Sequence, residues 1–201
     1  CIIGLLCGIL NTIPCAKNDP LPKRILLKIL RVIIRIYVEV FRGTPMMLQA
    51  VFIFYALPYF TDNALRFDNI WAASILIVSI NTGAYMAESV RGGILSIDRG
   101  QTEAARSLGL SARQTMMRII LPQVVKRIMA PMSNEVITLV KDTSLANVIA
   151  VGELIMSAQN IVKVYAIIWP LFYTAIFYLI FCGVLTLLFN ALEKKLNYYR
   201  G

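Results

Sequence analysis

The sequence predicts an all-α membrane protein of about five spanning helices, with a short cytoplasmic helix-turn-helix between the third and fourth. Three observations predict it. Hydrophobic residues make up 58% of the chain, above the roughly half expected of a soluble domain. Apolar runs alternate with basic loops, and one polar interval, Ser96–Gln123, carries two sets of helix-capping residues. The 201 residues suit a single membrane domain over 1–201. The chain begins at Cys1 inside an apolar run, without an initiator Met, so the first helix is expected to be N-terminally truncated.

Composition removes several function classes. Histidine is absent, which excludes a Ser-His-Asp hydrolase and a histidine-based metal site. Neither a catalytic residue nor a metal ligand set is expected. Cys1, Cys7, Cys15 and Cys182 lie in or beside apolar stretches without metal-type clustering and read as small core residues.

The elements follow in order. Cys1–Ala16 reads as the remainder of a first span. From Lys23 to Arg42 the cations Arg24, Lys28, Arg31, Arg35 and Arg42 share one helical face, opposite Leu26, Ile29, Leu30, Ile33, Tyr37 and Val40. This is an amphipathic helix suited to the cytoplasmic lipid interface and its anionic headgroups, with a solvated basic face packed on the bundle as the alternative. Thr44 and Pro45 start a short apolar helix over Met46–Phe60 that Pro58 is expected to end. Ile70–Val90 and Tyr165–Leu192 are long enough to span. Ile119–Val140 carries Pro122, Lys126, Arg127, Pro131 and Glu135, so it is expected as a helix inside the bundle, with a re-entrant segment as the alternative. Glu135 has a possible partner in Lys126 or Arg127. Ser144–Val162 is apolar but too irregular for a full span and suits a half-inserted helix.

Charge placement sets the direction. Segments 17–45, 91–118 and 193–201 carry 7, 5 and 3 Lys/Arg, against 1 in 61–69 and 2 in 141–165. The richer side is cytoplasmic by the positive-inside rule. The net charge of +9 is therefore explained by topology, and no nucleic-acid partner is needed.

In the polar interval, Asp98 is placed to cap a helix with Gln101 as its capping-box partner. Gly109 suits the left-handed residue that ends it, and Ser111 with Gln114 repeats the capping signal. Ala104 and Ala105 keep the helix thin enough for close approach by a partner. Glu103 and Arg106 offer charge, and Leu108 an apolar anchor.

The spacing Glu103-Ala104-Ala105, three residues, Gly109, nine residues, Ile119, one residue, Leu121-Pro122 resembles the EAA motif of permease subunits in ATP-binding-cassette importers. RGTP at Arg42–Pro45, NTGAYMAESVRGGI at Asn81–Ile94 and KDTSL at Lys141–Leu145 resemble the polar amino-acid uptake branch of that family. The resemblance runs from about Tyr37 to the C-terminus. It implies a MetI-like permease fold in a bacterial cytoplasmic membrane, multi-pass, with the EAA loop (about 96–118) and the C-terminus cytoplasmic. It also implies a second permease subunit, identical or homologous, two ATP-binding-cassette ATPase subunits, and an extracytoplasmic amino-acid-binding protein. Gly100, Glu103, Ala104, Ala105, Leu108 and Gly109 match the ATPase-docking element, while Ile119, Leu121 and Pro122 match the start of the next span. The chain has no G-x-x-x-x-G-K-[ST] phosphate loop. ATP and Mg2+ therefore belong to the partner ATPase, and this chain needs no cofactor.

Polar groups inside spans are costly and mark pathways or interhelical ties. Asn81, Tyr85 and Glu88 share one face of the third span, and Asn134, Thr138 and Lys141 or Asp142 one face of the fourth. These faces are expected to meet at a polar route for the amino and carboxylate groups of a substrate, with Thr143 and Ser144 at its outer end. The alternative for Glu88 is a pair with Arg91. No internal repeat of the kind common in secondary carriers is visible at the level of motifs.

Overall fold

A computed structural model describes residues 2–13 and 20–196. Cys1, Cys15, Ala16, Lys17 and Arg200, on which parts of the span, cysteine and charge readings rest, lie outside the described residues. The described chain is helical in the order α1 (Ile2–Thr12), α2 (Leu21–Gly43), α3 (Met46–Val51), a π turn (Phe52–Ala56), α4 (Leu57–Phe60) and α5 (Ile70–Leu95). There follow α6 (Arg99–Ser107), α7 (Ala112–Thr115), a second π turn (Met116–Ile120), α8 (Leu121–Asp142), a 3-10 turn (Thr143–Ile149), α9 (Leu154–Tyr165) and α10 (Trp169–Leu196).

Two of these, α5 and α10, are long and apolar enough to cross a membrane, against the five spans expected. The helix α1 and the stretch Met46–Phe60 are apolar but shorter. The helix α8 has the length, but Lys126, Arg127, Glu135, Lys141 and Asp142 interrupt its apolar face.

Pro58 does not end its helix. The π turn over Phe52–Ala56 widens the backbone spiral just before it, so α4 continues with Pro58 in its first turn, where a missing N–H is tolerated. The end comes at Thr61, whose hydroxyl donates to the Leu57 carbonyl at 2.8 Å. The left-handed Asp62 and Asn63 then turn the chain.

The last helix starts at Trp169, not Tyr165, because α9 occupies the preceding residues. Glu153 caps α9 by accepting from the Ile155 and Met156 amides at 2.7 and 2.6 Å, and Ala166 closes it in the left-handed conformation. Ile119–Val140 is helical throughout, its first residues in the second π turn and the rest in α8, with Pro131 inside the helix.

The helix α5 is the centre of the bundle. Its N-terminus is held by Asn69, whose side-chain oxygen accepts from the Trp71 and Ala72 amides. Ile77 and Ala50 form a core with Ile149 and Val151, whereas Val90 joins Ile97, Ile120, Val124 and Ile128 beneath the polar loop. On another flank α1 lies almost backbone to backbone. A Cβ on Gly8 would stand 2.8 Å from the Ala87 carbonyl oxygen and 2.7 Å from the Val90 Cβ. One on Gly4 would stand 2.5 Å from the Met86 Cβ. Such small-residue seams are how helices hold together where lipid replaces water.

Gly8→Ala should therefore push α1 off α5, at the overpacking cost of about 1–3 kcal/mol, and lower the thermal midpoint of the detergent-solubilised protein. Gly92→Ala, on the same helix α5 but with nothing within 4 Å of its Cβ, should leave the midpoint unchanged.

Candidate functional site

The polar loop is built by its caps. The Asp98 carboxylate accepts from the Gly100 amide at 2.7 Å and starts α6. Gln101 does not complete a capping box there, because its side-chain oxygen is turned to Gln123 on α8, 3.5 Å away. At the other end Gly109 has φ +75°, the Gly109 amide donates to the Arg106 carbonyl at 2.9 Å, and the Leu110 amide to the Ala105 carbonyl at 3.1 Å. Those two bonds with a left-handed glycine are a Schellman closure. The second box forms as expected: the Ser111 amide donates to the Gln114 side chain at 2.9 Å, and the Gln114 amide to the Ser111 hydroxyl at 3.3 Å.

The structure divides the two alanines. Ala105 is 1% exposed and packed within its own chain, whereas Ala104, Glu103, Arg106, Gly109 and Leu108 stand outside, Leu108 at 80% exposure. Ala105 thins the helix toward its own loop, and Ala104 thins it toward the exterior. Gly100 is also exposed, next to the cap. The loop is anchored to the bundle by Arg127, which donates to the Ser96 carbonyl, and by Ile97 and Ile120 in the core below. Only a π turn separates α7 from α8, so the loop and that helix form one nearly continuous lever.

The second group of candidates lies between α5 and α8. Asn81, Tyr85 and Thr138 are brought together around a cavity of about 130 Å3, along with Thr82, Glu135, Leu139 and Asp142. Asn81 is 5% exposed, and its amide donates to the Gln49 side chain at 2.8 Å and the Phe41 carbonyl at 3.4 Å. Gln49 in turn donates to the Phe41 and Thr44 carbonyls at 2.9 and 3.0 Å and to the Thr44 hydroxyl at 2.7 Å. Asn81 thus ties the corner between α2 and α3 to α5 from the rim of the cavity.

Glu88 is not on that cavity. It sits one turn further along α5 and is held by Arg91, whose Nε donates to it at 2.9 Å, with Arg42 at 4.0 Å. The Arg42 guanidinium also lies over the Tyr85 ring, 5.7 Å from its centroid. Asn134 is exposed and off the cavity wall. Thr143 and Ser144 donate to the Val140 and Lys141 carbonyls at 2.7 and 2.6 Å, closing the end of α8.

Sequence reasoning passed over two of these residues. Gln49 was legible as the lone amide in an apolar run after Thr44-Pro45. Arg42 was read only as part of the basic face and the RGTP segment, since its partners Glu88 and Tyr85 are far along the chain.

The site is thus an all-helical bundle in which a capped, exposed loop runs through α7 and one π turn into a cavity-lining helix. Residues 16–198 match the family described as the binding-protein-dependent transport system inner membrane component, and the chain belongs to that family. It is 43% identical over 165 residues to the glutamine transport system permease protein GlnP of Escherichia coli K12, covering 81% of this chain and 74% of that protein. To the L-cystine transport system permease protein TcyB of Bacillus subtilis 168 it is 37% identical over 172 residues, covering 85% and 72%. Among solved structures, an amino acid ABC transporter with histidines superposes with a TM-score of 0.79 at 30% identity, over 96% of this chain and 86% of that one. The MetNI methionine ABC transporter, inward facing, superposes at 0.74 with 18% identity, over 97% and 86%, which establishes the MetI-like fold. The chain is thus a non-catalytic permease subunit of an ATP-binding-cassette importer, and nucleotide and Mg2+ reside on the separate ATPase.

The Asn81–Gln49 bond makes a separable prediction. Asn81→Leu and Gln49→Leu should each destabilise by about 1–3 kcal/mol, because each strands a buried amide. The double variant should cost less than the sum of the two, as read from thermal unfolding of all four proteins.

Proposed function

We propose that this chain and a second permease, identical or homologous, form the passage for a polar or charged amino acid across a bacterial cytoplasmic membrane. Two ATPase subunits drive it from the loop 96–118, and an extracytoplasmic binding protein delivers the solute. The observation that carries this reading is the exposed ridge of Glu103, Ala104 and Leu108, with Gly109 at its corner, joined through α7 and one π turn to the helix that walls the polar cavity. Movement imposed on α6 by a docked partner passes along α8 to Glu135 and Thr138. Gly100 and Ala105 serve the ridge from within, the first at its cap and the second in its packing.

Substrate class is supported by two things. The relatives' names specify glutamine, cystine and, for ArtQ of Bacillus subtilis, arginine. The cavity offers what an amino acid needs: Glu135 and Asp142 for an ammonium group, and Asn81, Tyr85, Thr82 and Thr138 for hydrogen bonds. Glu88 lies toward the cytoplasmic end of this route, Thr143 and Ser144 toward the outer end, and Asn134 contributes by facing the second permease.

The topology that accompanies this reading has five spans, α1, the stretch Met46–Phe60, α5, α8 and α10, within one domain over 1–201. The excess of Lys and Arg in segments 17–45, 91–118 and 193–201 supports a cytoplasmic loop and C-terminus. On α8, Glu135, Thr138 and Asp142 face the cavity, and Arg127 is held by the Ser96 carbonyl, which supports its place among the spans.

Leu108→Asp should weaken copurification of the ATPase by about tenfold or more, as loss of an apolar interface anchor does. Gly109→Val, which cannot adopt φ +75° without strain, should act in the same direction and Gly109→Asn less strongly. Transport that persists after deletion of the ATPase subunit would refute the coupling. Thr138→Val should raise the half-saturating amino-acid concentration for uptake into proteoliposomes about fivefold to tenfold, the worth of one hydrogen bond. Unchanged uptake kinetics would take Thr138 out of the passage.

A further inference from the structure

The basic face of α2 turns toward α5 across a second, larger chamber of about 710 Å3. Lys28, Arg31, Arg35, Arg42 and Arg91 stand on its wall, and Glu39 and Glu88 are the carboxylates there among the described residues. Glu88 is already engaged by Arg91 and Arg42. Among the described residues, Lys28 and Arg35 have no carboxylate within ion-pair distance. Arg31 gives one terminal nitrogen to the Ile13 carbonyl, but its Nε is buried with no hydrogen-bond partner among the described residues. A buried guanidinium nitrogen left without an acceptor, beside two unopposed cations, favours an anion with several acceptor oxygens.

The same residues border an apolar surface. Lys28 and Val32 also line a groove of about 330 Å3 with Ile25, Ile29 and Ile33. Lys28 and Arg31 line another with Leu21, Arg24 and Ile25. Ile25, Ile29 and Ile33 are each more than half exposed. A soluble anion would find no use for that groove. An amphiphile with an anionic head and an acyl tail matches both parts at once.

We propose that α2 carries a discrete binding site for one anionic phospholipid. The phosphate lies in the chamber among Lys28, Arg31 and Arg35, and an acyl chain lies along Ile25, Ile29 and Ile33. This is a stoichiometric site, distinct from diffuse attraction of a basic surface to a charged bilayer. It is independent of the solute carried.

The test uses the permease with its ATPase, purified from nanodiscs of mixed phosphatidylcholine and phosphatidylglycerol, with retained lipid counted by native mass spectrometry. The expected result is one phosphatidylglycerol per permease chain and no retained phosphatidylcholine. K28Q/R35Q should reduce retention by about tenfold or more, the size of losing two headgroup cations, while K28R/R35K should restore it. K194Q/K195Q, which removes equal charge at the end of α10, should retain the lipid. I29S/I33S should also lose it, and glycerol phosphate at millimolar concentration should not displace it. Equal losses in K28Q/R35Q and K194Q/K195Q would reduce the site to diffuse charge and overturn the proposal. So would full displacement by glycerol phosphate, which would make the chamber a site for the free anion.

Discussion

Helices surrounded by lipid gain nothing by hiding apolar side chains from water, so α5 has to hold its neighbours by close approach and by hydrogen bonds. Both are concentrated on it. Gly83 and Ala87 admit α1 at Gly4 and Gly8, and Gly93 admits the Ile128 side chain of α8. Where backbones do not touch, polar groups do: the Tyr37 hydroxyl donates to the Ile80 carbonyl at 2.5 Å, and Asn81 reaches Gln49.

The same helix separates two polar spaces. Tyr85 borders both the 130 Å3 cavity and the larger basic chamber, and Arg42 lies over its ring. One face of α5 thus presents, within two turns, an amide used for architecture, a ring that forms a partition and a carboxylate neutralised by two arginines. Burial of each is tolerable because each has a partner. The polar loop obeys the same economy at the surface, where Asp98, Gly109 and Ser111 satisfy the helix ends and Leu108 and Glu103 stand exposed.

Much of this was legible in the sequence wherever the signal is local. Asp98, Gly109 and the Ser111–Gln114 box act on amides within a few residues, so their spacing alone carries the geometry. The amphipathic α2 and the polar face of α5 were visible for the same reason, since 3.6 residues per turn decides which side chains are neighbours. Pro58 misled because a π turn, which leaves no residue signature, absorbed its missing N–H. The start of α10 misled because apolar sequence continues unbroken through Ala166–Ile168, and only a left-handed backbone at Ala166 divides it.

What the sequence determined by itself was therefore the helical class, the membrane setting, the capped loop and the family whose motif that loop carries. Each of these depends on composition or on contacts between near neighbours. The tertiary structure decided which polar residues meet: that Asn81 binds Gln49 while sharing a cavity with Thr138 and Glu135, that Glu88 stands apart with Arg91 and Arg42, and that the cations of α2 face a chamber. Those outcomes follow from how closely the helices approach and how they are rotated about their axes. Both are set by glycines and alanines on opposing helices, and no single stretch of sequence contains both sides of such a contact.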